Sequence, residues 1–130
     1  MEHHRFSQSS LDKLAQAHPD LERVAVLALK YSKYDFGITE SLRTIERQQE
    51  LFKEGKSQTM NSRHLPNENG VSEAIDIKVY VGGQVVWEHR YFRRVIQAFV
   101  KAAIELGVQL EFGGLWETFI DSPHIQLPRA

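Results

Sequence analysis

The sequence predicts an α+β fold in which a short antiparallel sheet is flanked by helices. Two stretches, 19–32 and 91–106, repeat apolar residues with the period of a helix that has one buried face. The segment 74–81 alternates apolar and polar residues, which is the pattern of a strand with one buried face. Gly82-Gly83 then marks a hairpin turn between antiparallel strands. Helices before and between such strands are typical of an α+β domain.

The first half of the chain predicts three helices and one strand. We expect helices over 11–17, 19–32 and 44–54, and a strand over 36–41. Ser9 or Ser10 can cap the first helix, and Pro19 suits the first turn of the second. Thr44 can cap the third helix, which stops at Gly55 because glycine readily adopts the left-handed conformation found after helix ends.

The second half predicts a long loop followed by the remaining elements. Residues 56–73 are polar, rich in Ser, Asn, Gly and Pro, and without periodicity, so we expect an active-site loop there. The elements expected after it are strands over 74–81 and 84–88, the helix over 91–106, a strand over 108–112, a turn at Gly113-Gly114 and a last strand over 123–127.

Length, charge and cysteine content limit the possible classes of protein. A chain of 130 residues is the size of one domain, so we expect a single domain over 1–130 with a flexible terminus over 1–8. The 16 basic and 17 acidic residues give no broad basic surface, which argues against nucleic-acid binding. Cysteine is absent, and this excludes disulfides, thiolate metal sites and thiol nucleophiles. No heptad repeat is present, and we expect a monomer.

The sequence also gives an expectation about location. The N-terminus is polar and leads into no apolar segment of the kind that signal peptides contain. The longest apolar run, 24–29, is far shorter than the roughly 20 residues of a membrane-spanning helix. We therefore expect synthesis in the cytoplasm without a signal peptide or membrane anchor.

Asp76 is unusual for its position. It lies in the middle of the strand over 74–81, on the face opposite the apolar residues. A buried carboxylate is unfavourable unless a cation, a metal ion or hydrogen bonds compensate it. The alternative is that this face is solvated, which the neighbouring Lys78 allows.

Two histidines combine with Asp76 into a possible metal site. His64 lies in the long loop, and His124 lies near the end of the chain. Either histidine alone is typical of an ordinary polar residue, but two His and one Asp with a water molecule make a catalytic zinc site. Asp121, three residues before His124, is near enough to accept a proton from that water, and Glu117 competes for this role.

Arg43 and Trp116 are further candidates for a substrate site. Arg43 follows the predicted strand over 36–41 and can bind a substrate carboxylate or a developing negative charge, although a surface salt bridge explains it equally well. Trp116 follows the Gly113-Gly114 turn and can form the wall of a cleft or part of the core.

These residues resemble a known motif. The segments Ser62-Arg63-His64, Gly70 and Ala74-Ile75-Asp76 are similar to the Ser-x-His-x-x-Gly-x-Ala-x-Asp signature of the D-alanyl-D-alanine carboxypeptidase family of zinc peptidases. That family includes the L-alanyl-D-glutamate peptidases that phages use as endolysins. Residues 112–127 resemble the endolysin form of the second half of the site, and 37–44 resemble the family's segment with a substrate-binding Arg.

The resemblance implies a role for each candidate. The implied zinc ligands are His64, Asp76 and His124. Asp121 would be the catalytic base, and Arg43 would bind the substrate and steady its carbonyl group. Ser62 and Trp116 would line the substrate site. The implied fold is the small α+β domain of the hedgehog and D-Ala-D-Ala-peptidase type.

The implied activity is zinc-dependent hydrolysis of the peptidoglycan stem peptide. The endolysin-like tail favours an L-alanyl-D-glutamate endopeptidase that acts in host lysis, released from the host cytoplasm to the wall in the periplasm. A D-alanyl-D-alanine carboxypeptidase is the alternative within the same enzyme class. A non-catalytic zinc domain that binds peptidoglycan or a protein partner is the alternative outside it.

The sequence departs from the signature in two places. The twelve-residue spacing between His64 and Asp76 is longer than in the signature, which predicts an insertion within 65–72. We expect the inserted Asn67, Glu68 and Asn69 at the rim of the site. Leu115 stands where endolysin relatives often carry Asp, and we expect a local effect on the wall of the cleft.

Overall fold

The fold is a five-stranded antiparallel sheet with helices that cover one of its faces. The computed structural model describes residues 4–57 and 59–128. Within these ranges the elements are α1 (Gln8–Leu14), α2 (Pro19–Tyr31), β1 (Asp35–Glu40), α3 (Ile45–Lys53), β2 (Ala74–Val81), β3 (Gln84–Val86), α4 (His89–Leu106), β4 (Glu111–Phe112), a 3₁₀ turn (Gly113–Leu115) and β5 (His124–Gln126). The predicted α+β class is confirmed.

Strand β2 lies at the centre of the sheet. Strand β1 pairs with it along one edge, while β5 and β3 share the other edge, next to its first and second halves. Strand β4 pairs with β5 at the margin of the sheet. In this register Ile75 of β2 lies opposite Ile125 of β5, and Asp76 lies opposite His124. All of these strand pairings are antiparallel, and β2 and β3 are joined directly by the two-residue turn at Gly82-Gly83.

The two faces of β2 serve different purposes. One face is apolar and fully buried against α2 and α4, and its residues are Ile75, Ile77 and Val79. The core that they join includes Phe36, Phe92 and Phe99. The opposite face carries Asp76, whose side chain is partly accessible. Side chains alternate along a strand, so one sequence supplies the core and a polar surface at once.

Most predicted elements are confirmed, but α1 differs from its prediction. It begins at Gln8 instead of residue 11, and its N-cap is Ser7, whose hydroxyl accepts a hydrogen bond from the Ser10 N–H. Ser10 is buried, and its hydroxyl accepts a hydrogen bond from the Ile38 N–H of β1. The prediction of Ser9 or Ser10 as the cap was wrong because Ser10 is used in a tertiary contact.

The strand predicted over 108–112 is also shorter than expected. Only Glu111–Phe112 pairs, as β4, because β5 has three residues and offers it few partners. The N–H of Val108 instead bonds the Ala103 carbonyl and closes the end of α4 after Gly107, which has a left-handed φ of 71°. This is a helix-ending pattern that uses glycine's freedom at positive φ.

The two segments predicted to be irregular, 1–8 and 56–73, contain almost no regular secondary structure among their described residues. Residues 1–3 of the expected flexible terminus lie outside the described residues, while Phe6 packs edge-on against Phe36 with ring centroids 5.4 Å apart. The described residues of 56–73 form no helix or strand apart from an isolated bridge between Ser72 and Ala17. None of the described helices combines the length and the hydrophobicity that crossing a bilayer requires.

Candidate metal centre and active site

Three potential metal ligands meet on the polar face of the sheet. They are His64, Asp76 and His124, and one donor atom from each lies within 4.8 Å of the other two. His64 Nε2 is 3.2 Å from Asp76 Oδ1, and His124 Nδ1 is 3.1 Å from the same oxygen. The structure therefore brings together all three residues that the sequence predicted as ligands.

Strand register and a loop anchor explain this convergence. Asp76 and His124 are direct partners across β2 and β5, so their side chains leave the same face of the sheet. His64 reaches that face because its loop is fixed by backbone hydrogen bonds. The Arg43 N–H donates to the His64 carbonyl at 2.8 Å, and the His64 N–H donates to the Ser62 hydroxyl at 3.1 Å.

The outer nitrogen of each imidazole has its own acceptor. His64 Nδ1 lies 2.8 Å from the Ser41 carbonyl, and His124 Nε2 lies 2.7 Å from Gln126 Oε1. Protons on these outer nitrogens leave a lone pair on His64 Nε2 and on His124 Nδ1, the two atoms that face Asp76. In its neutral form, each ring can thus present a lone pair to a metal ion, and in its protonated form the same nitrogen donates to Asp76.

Gln126 was not identified from the sequence. Its amide oxygen accepts from His124, and its NH₂ group donates to Glu111 Oε1 at 2.7 Å. The sequence does place Gln126 two residues after His124 in a predicted strand, so both side chains lie on one face. That spacing gives no indication of function by itself, since it applies to every second strand residue.

The donor set fits a catalytic metal ion. Two imidazole nitrogens and one carboxylate oxygen leave a fourth position for water or substrate, which is the difference between catalytic and structural sites of this kind. The side chain of Asp76 keeps 24% of its exposure, so the set is open to the cleft on one side. The ligands, their outer hydrogen bonds and their accessibility all agree with a metal site.

The three side chains shift one another's protonation. Burial works to raise the pKa of Asp76, but the hydrogen bonds from His124 and His64 together outweigh it and hold that pKa far below its usual range. Burial works to lower the pKa of His124, but the Asp76 carboxylate outweighs it and raises that pKa above its usual value. A positive charge at this position is therefore favoured, whether a proton or a metal ion supplies it.

Asp121 lies next to this centre. It lines the same cleft, and burial together with the negative charge of Asp76 raises the pKa of its carboxyl above the usual range. A raised pKa brings a carboxylate closer to the range suited to accepting and returning a proton near neutral pH. Glu117, the competing candidate, is exposed and does not line the cleft.

The loop that presents Asp121 depends on two glycines. The Asp121 N–H donates to the Gly113 carbonyl at 2.9 Å, and the His124 N–H donates to the Asp121 carbonyl at 3.0 Å. A Cβ atom on Gly113 would collide with that Asp121 carbonyl, and one on Gly114 would lie 2.8 Å from Ile96. The Gly-Gly pair, predicted as a turn, thus allows close packing of the loop under the site.

Arg43 enters the cleft through a buried polar network. Its guanidinium pairs with Glu40 and donates to Gln48 Oε1 at 2.7 Å, and Ser62 Oγ lies 3.5 Å away. Gln48 is fully buried, and its NH₂ group donates to the Thr59 carbonyl at 2.5 Å. The salt bridge expected as the alternative exists, but Arg43 is largely buried and also lines the cleft.

Gln48 is the second residue that sequence reasoning missed. It lies five residues after Arg43 in a helix that the sequence did predict, but its surroundings were not predictable. A buried glutamine with both ends hydrogen-bonded is a rigid support. We infer that it fixes both the guanidinium of Arg43 and the adjoining loop at Thr59.

The cleft itself has a volume of about 760 Å³, and its lining includes two unlike groups of residues. The cationic wall is the group Arg43, Lys56 and Arg63, and the apolar wall is the group Trp116, Phe119 and Ile120. Trp116 also packs against His124, with ring centroids 5.4 Å apart. The predicted substrate-site residues Ser62 and Trp116 both line the cleft.

The expectation for the insertion was wrong. No residue of 65–72 lines the cleft, so Asn67, Glu68 and Asn69 are not at its rim. The amide oxygen of Asn67 instead accepts from the Asn69 and Val71 N–H groups, and its NH₂ group donates to Glu73. The extra residues close on themselves in a hydrogen-bonded loop. Leu115 is exposed and likewise does not line the cleft.

Comparison with known proteins gives the family. Residues 2–127 match the model of the phage L-alanyl-D-glutamate peptidase family. The chain belongs to this family. The L-alanyl-D-glutamate peptidase of Escherichia phage T5 is 34% identical over 116 residues, which cover 86% of this chain and 81% of the relative. The L-alanyl-D-glutamate peptidase of Listeria phage A118 is 39% identical over 89 residues, which cover 68% of this chain and 29% of the relative.

A solved structure agrees with this assignment. The chain is similar to the L-Ala D-Glu endopeptidase ChiX of Serratia marcescens, with a TM-score of 0.88 and 41% identity. The match covers 98% of this chain and 92% of that one. Family membership confirms the resemblance drawn from the sequence motifs and the prediction that this chain is a peptidase.

Replacing Gln126 by Leu is expected to weaken metal binding about tenfold to a hundredfold, because His124 loses the acceptor that fixes its tautomer. Competition with a chromophoric chelator measures the affinity. Gln84→Leu, at an exposed position of β3, is the matched control and is expected to bind metal normally. An unchanged affinity in Gln126→Leu would show that its amide does not orient the ring.

The metal-free protein is expected to lose stability as the pH rises above about 6.5. The folded-state pKa of His124 is raised, so its contribution is complete below the ordinary value of 6.5 and disappears as the pH passes the folded value. Metal-loaded protein is expected to show the opposite trend, because metal ligands must be neutral imidazoles. Thermal unfolding with chelator and with excess metal tests this, and parallel pH profiles would contradict it.

Proposed function

We propose that this chain is a zinc-dependent L-alanyl-D-glutamate endopeptidase that hydrolyses the stem peptide of peptidoglycan. The observation that carries the proposal is a three-ligand metal site with a second carboxylate, Asp121, beside it in an open cleft. A structural metal site needs no neighbouring free carboxylate, whereas hydrolysis needs a group that moves a proton. The family and the relatives' names support the choice of bond.

Zinc is the metal that the donor set favours. His64, Asp76 and His124 offer two imidazole nitrogens and one carboxylate oxygen, a combination typical of catalytic zinc in hydrolases. When bound, zinc supplies Lewis-acid activation of water and of the peptide carbonyl group. Calcium and magnesium are disfavoured because they prefer oxygen ligands.

The side chains around the metal site supply the proton transfer and the charge stabilisation. Asp121 accepts the proton of the attacking water and then delivers it to the nitrogen of the leaving D-Glu, as its raised pKa favours. Arg43 donates to the substrate carbonyl oxygen as negative charge develops there. Glu40 and Gln48 hold its guanidinium in place, so little reorganisation is needed during the reaction. Ser62 and Trp116 contact the substrate on either side of the cleft.

The organisation and site of action follow from the same comparisons. We infer that residues 1–130 act as one catalytic domain, since the family model and ChiX both match across nearly the whole chain. We also propose a monomer, because the sequence has no heptad repeat. We also infer an endolysin role, in which the protein acts on the cell wall after its release from the host cytoplasm. The phage origin of both relatives supports this role.

Digestion of purified peptidoglycan with zinc-loaded protein tests the proposed function directly. We expect new N-terminal D-Glu, identified by mass spectrometry and amine labelling of the products. Release of free D-Ala would instead make the protein a D-alanyl-D-alanine carboxypeptidase. Absence of product from protein that carries one zinc per chain would identify a non-catalytic zinc domain that binds peptidoglycan or another partner.

Replacing Asp121 by Asn is expected to reduce kcat about a hundredfold or more while zinc stays bound, because the amide cannot accept the proton. Metal content by elemental analysis and turnover of a defined stem peptide are measured on the same sample. Glu117→Gln removes the exposed neighbouring carboxylate and serves as the control, with near-normal turnover expected. The reverse pattern in the two variants would transfer the role of base to Glu117.

A further inference from the structure

Two residues of the apolar wall, Phe119 and Ile120, have no role in the chemistry proposed above. Trp116, Phe119 and Ile120 expose 37%, 73% and 63% of their surfaces while lining the site. Exposed apolar side chains that cluster at a binding cleft indicate a contact with a ligand or partner. The packing of Trp116 on His124 partly explains its position. Phe119 and Ile120 line the cleft and are exposed to solvent.

The backbone of Phe119 is strained. Its φ of 50° makes it the one non-glycine residue with positive φ among the residues that the structure describes. A bulky side chain in this left-handed region costs free energy, and the exposed ring gains little burial in return. Strain of this kind that is retained beside a site points to a functional constraint on the residue.

The cationic wall of the cleft comes from other segments of the chain. Arg43, Lys56 and Arg63 line it, and each pairs with a carboxylate that does not line the cleft, namely Glu40, Glu54 and Glu73 respectively. The cations are therefore presented to the cleft while their counter-charges lie outside its lining. Such a wall attracts the anionic part of a ligand and leaves the neutral part to the other wall.

The substrate implied by the proposed function has the same asymmetry. On one side of the L-Ala–D-Glu bond lie D-Glu and the following residues with their carboxylates. On the other side lies L-Ala, joined through a neutral lactyl amide to the N-acetylmuramoyl sugar of the glycan strand. Only one residue separates the cleaved bond from this sugar, so the sugar must lie close to the cleft when the bond is at the metal site.

We propose that Phe119, with Ile120 and Trp116 beside it, forms a subsite for the lactyl and N-acetylmuramoyl group of the glycan strand. Charge complementarity directs the D-Glu half of the substrate to the cationic wall and the neutral muramoyl half to the apolar wall. The ring of Phe119 offers a flat apolar surface to the C–H face of the sugar. This inference rests on the proposed function and adds to it the part of the substrate that the apolar wall contacts.

The test compares two substrates that differ only in the sugar. One is N-acetylmuramoyl-L-Ala-D-Glu-containing stem peptide, and the other is the same peptide with an N-acetyl group on L-Ala. Phe119→Gly is the variant of choice, because glycine adopts positive φ freely and the fold is expected to keep or raise its Tm. Phe119→Tyr keeps the ring, and Phe52→Ala removes an exposed aromatic outside the cleft lining.

We expect Phe119→Gly to lower kcat/KM on the muramoyl peptide about fivefold to tenfold, mainly through KM, and to leave the N-acetyl peptide nearly unchanged. The Kd for the product N-acetylmuramoyl-L-alanine, measured by calorimetry, is expected to rise by a similar factor. Phe119→Tyr and Phe52→Ala are expected to behave like the unmodified protein in both measurements.

Three results would overturn the subsite. An equal loss on both substrates would show that the ring supports the cleft or the peptide instead of the sugar. No loss on either would show that Phe119 does not contact the substrate. Vesicle sedimentation gives the third result. If Phe119→Gly sediments less with anionic phospholipid vesicles than the unmodified protein does, and keeps the preference for the muramoyl peptide, the apolar wall binds a membrane instead. Failure of the proposed function gives a different result, because the unmodified protein would then cleave neither peptide.

Discussion

The site depends on one carboxylate held between two imidazoles. Asp76 Oδ1 lies 3.2 Å from His64 Nε2 and 3.1 Å from His124 Nδ1, on a strand whose other face is fully buried. A negative charge in such a position requires a compensating positive charge, and the pKa of His124 is raised because the Asp76 carboxylate favours its protonated form. Strand register places His124 beside Asp76, and the hydrogen bonds of the loop place His64 there.

The alternation of β2 links stability to function. Ile75, Ile77 and Val79 pack into the core, and Asp76 between the first two lines the cleft. A slip of one residue between β2 and β5 would exchange these faces and separate Asp76 from His124. Such a slip would also expose large apolar side chains to water, so the packing of the core fixes the relative positions of Asp76 and His124.

Two polar networks extend this rigidity outward from the site. One runs from His124 through Gln126 to Glu111, and the other runs from Arg43 through Gln48 to Thr59. Each fixes the direction of a side chain that must act at a defined point in the cleft. Glu40 connects the metal-ligand cluster with the Arg43 network, since it pairs with Arg43 and lies 3.8 Å from His64 Nδ1. The cationic wall and the metal centre are thus held by shared supports.

The sequence by itself determined the fold class, the order of elements and the residue types of the site. Periodicity located α2, α4 and β2, and the motifs around His64, Asp76 and His124 identified the family. These features are local, since they depend on spacing along the chain. Element ends were less certain where a tertiary contact competed with a local preference, as with Ser10, whose hydroxyl bonds β1 instead of capping α1.

Only the tertiary structure decided which polar residues support the site and where the inserted loop lies. Gln48 and Gln126 are ordinary residues in the sequence, and their importance comes from partners that are distant along the chain or are chosen by strand pairing. Asn67 was expected at the rim, but its hydrogen bonds with Asn69, Val71 and Glu73 close the loop away from the cleft. Spacing reveals which residues can share a face, whereas hydrogen-bond partners depend on how separate segments pack in three dimensions.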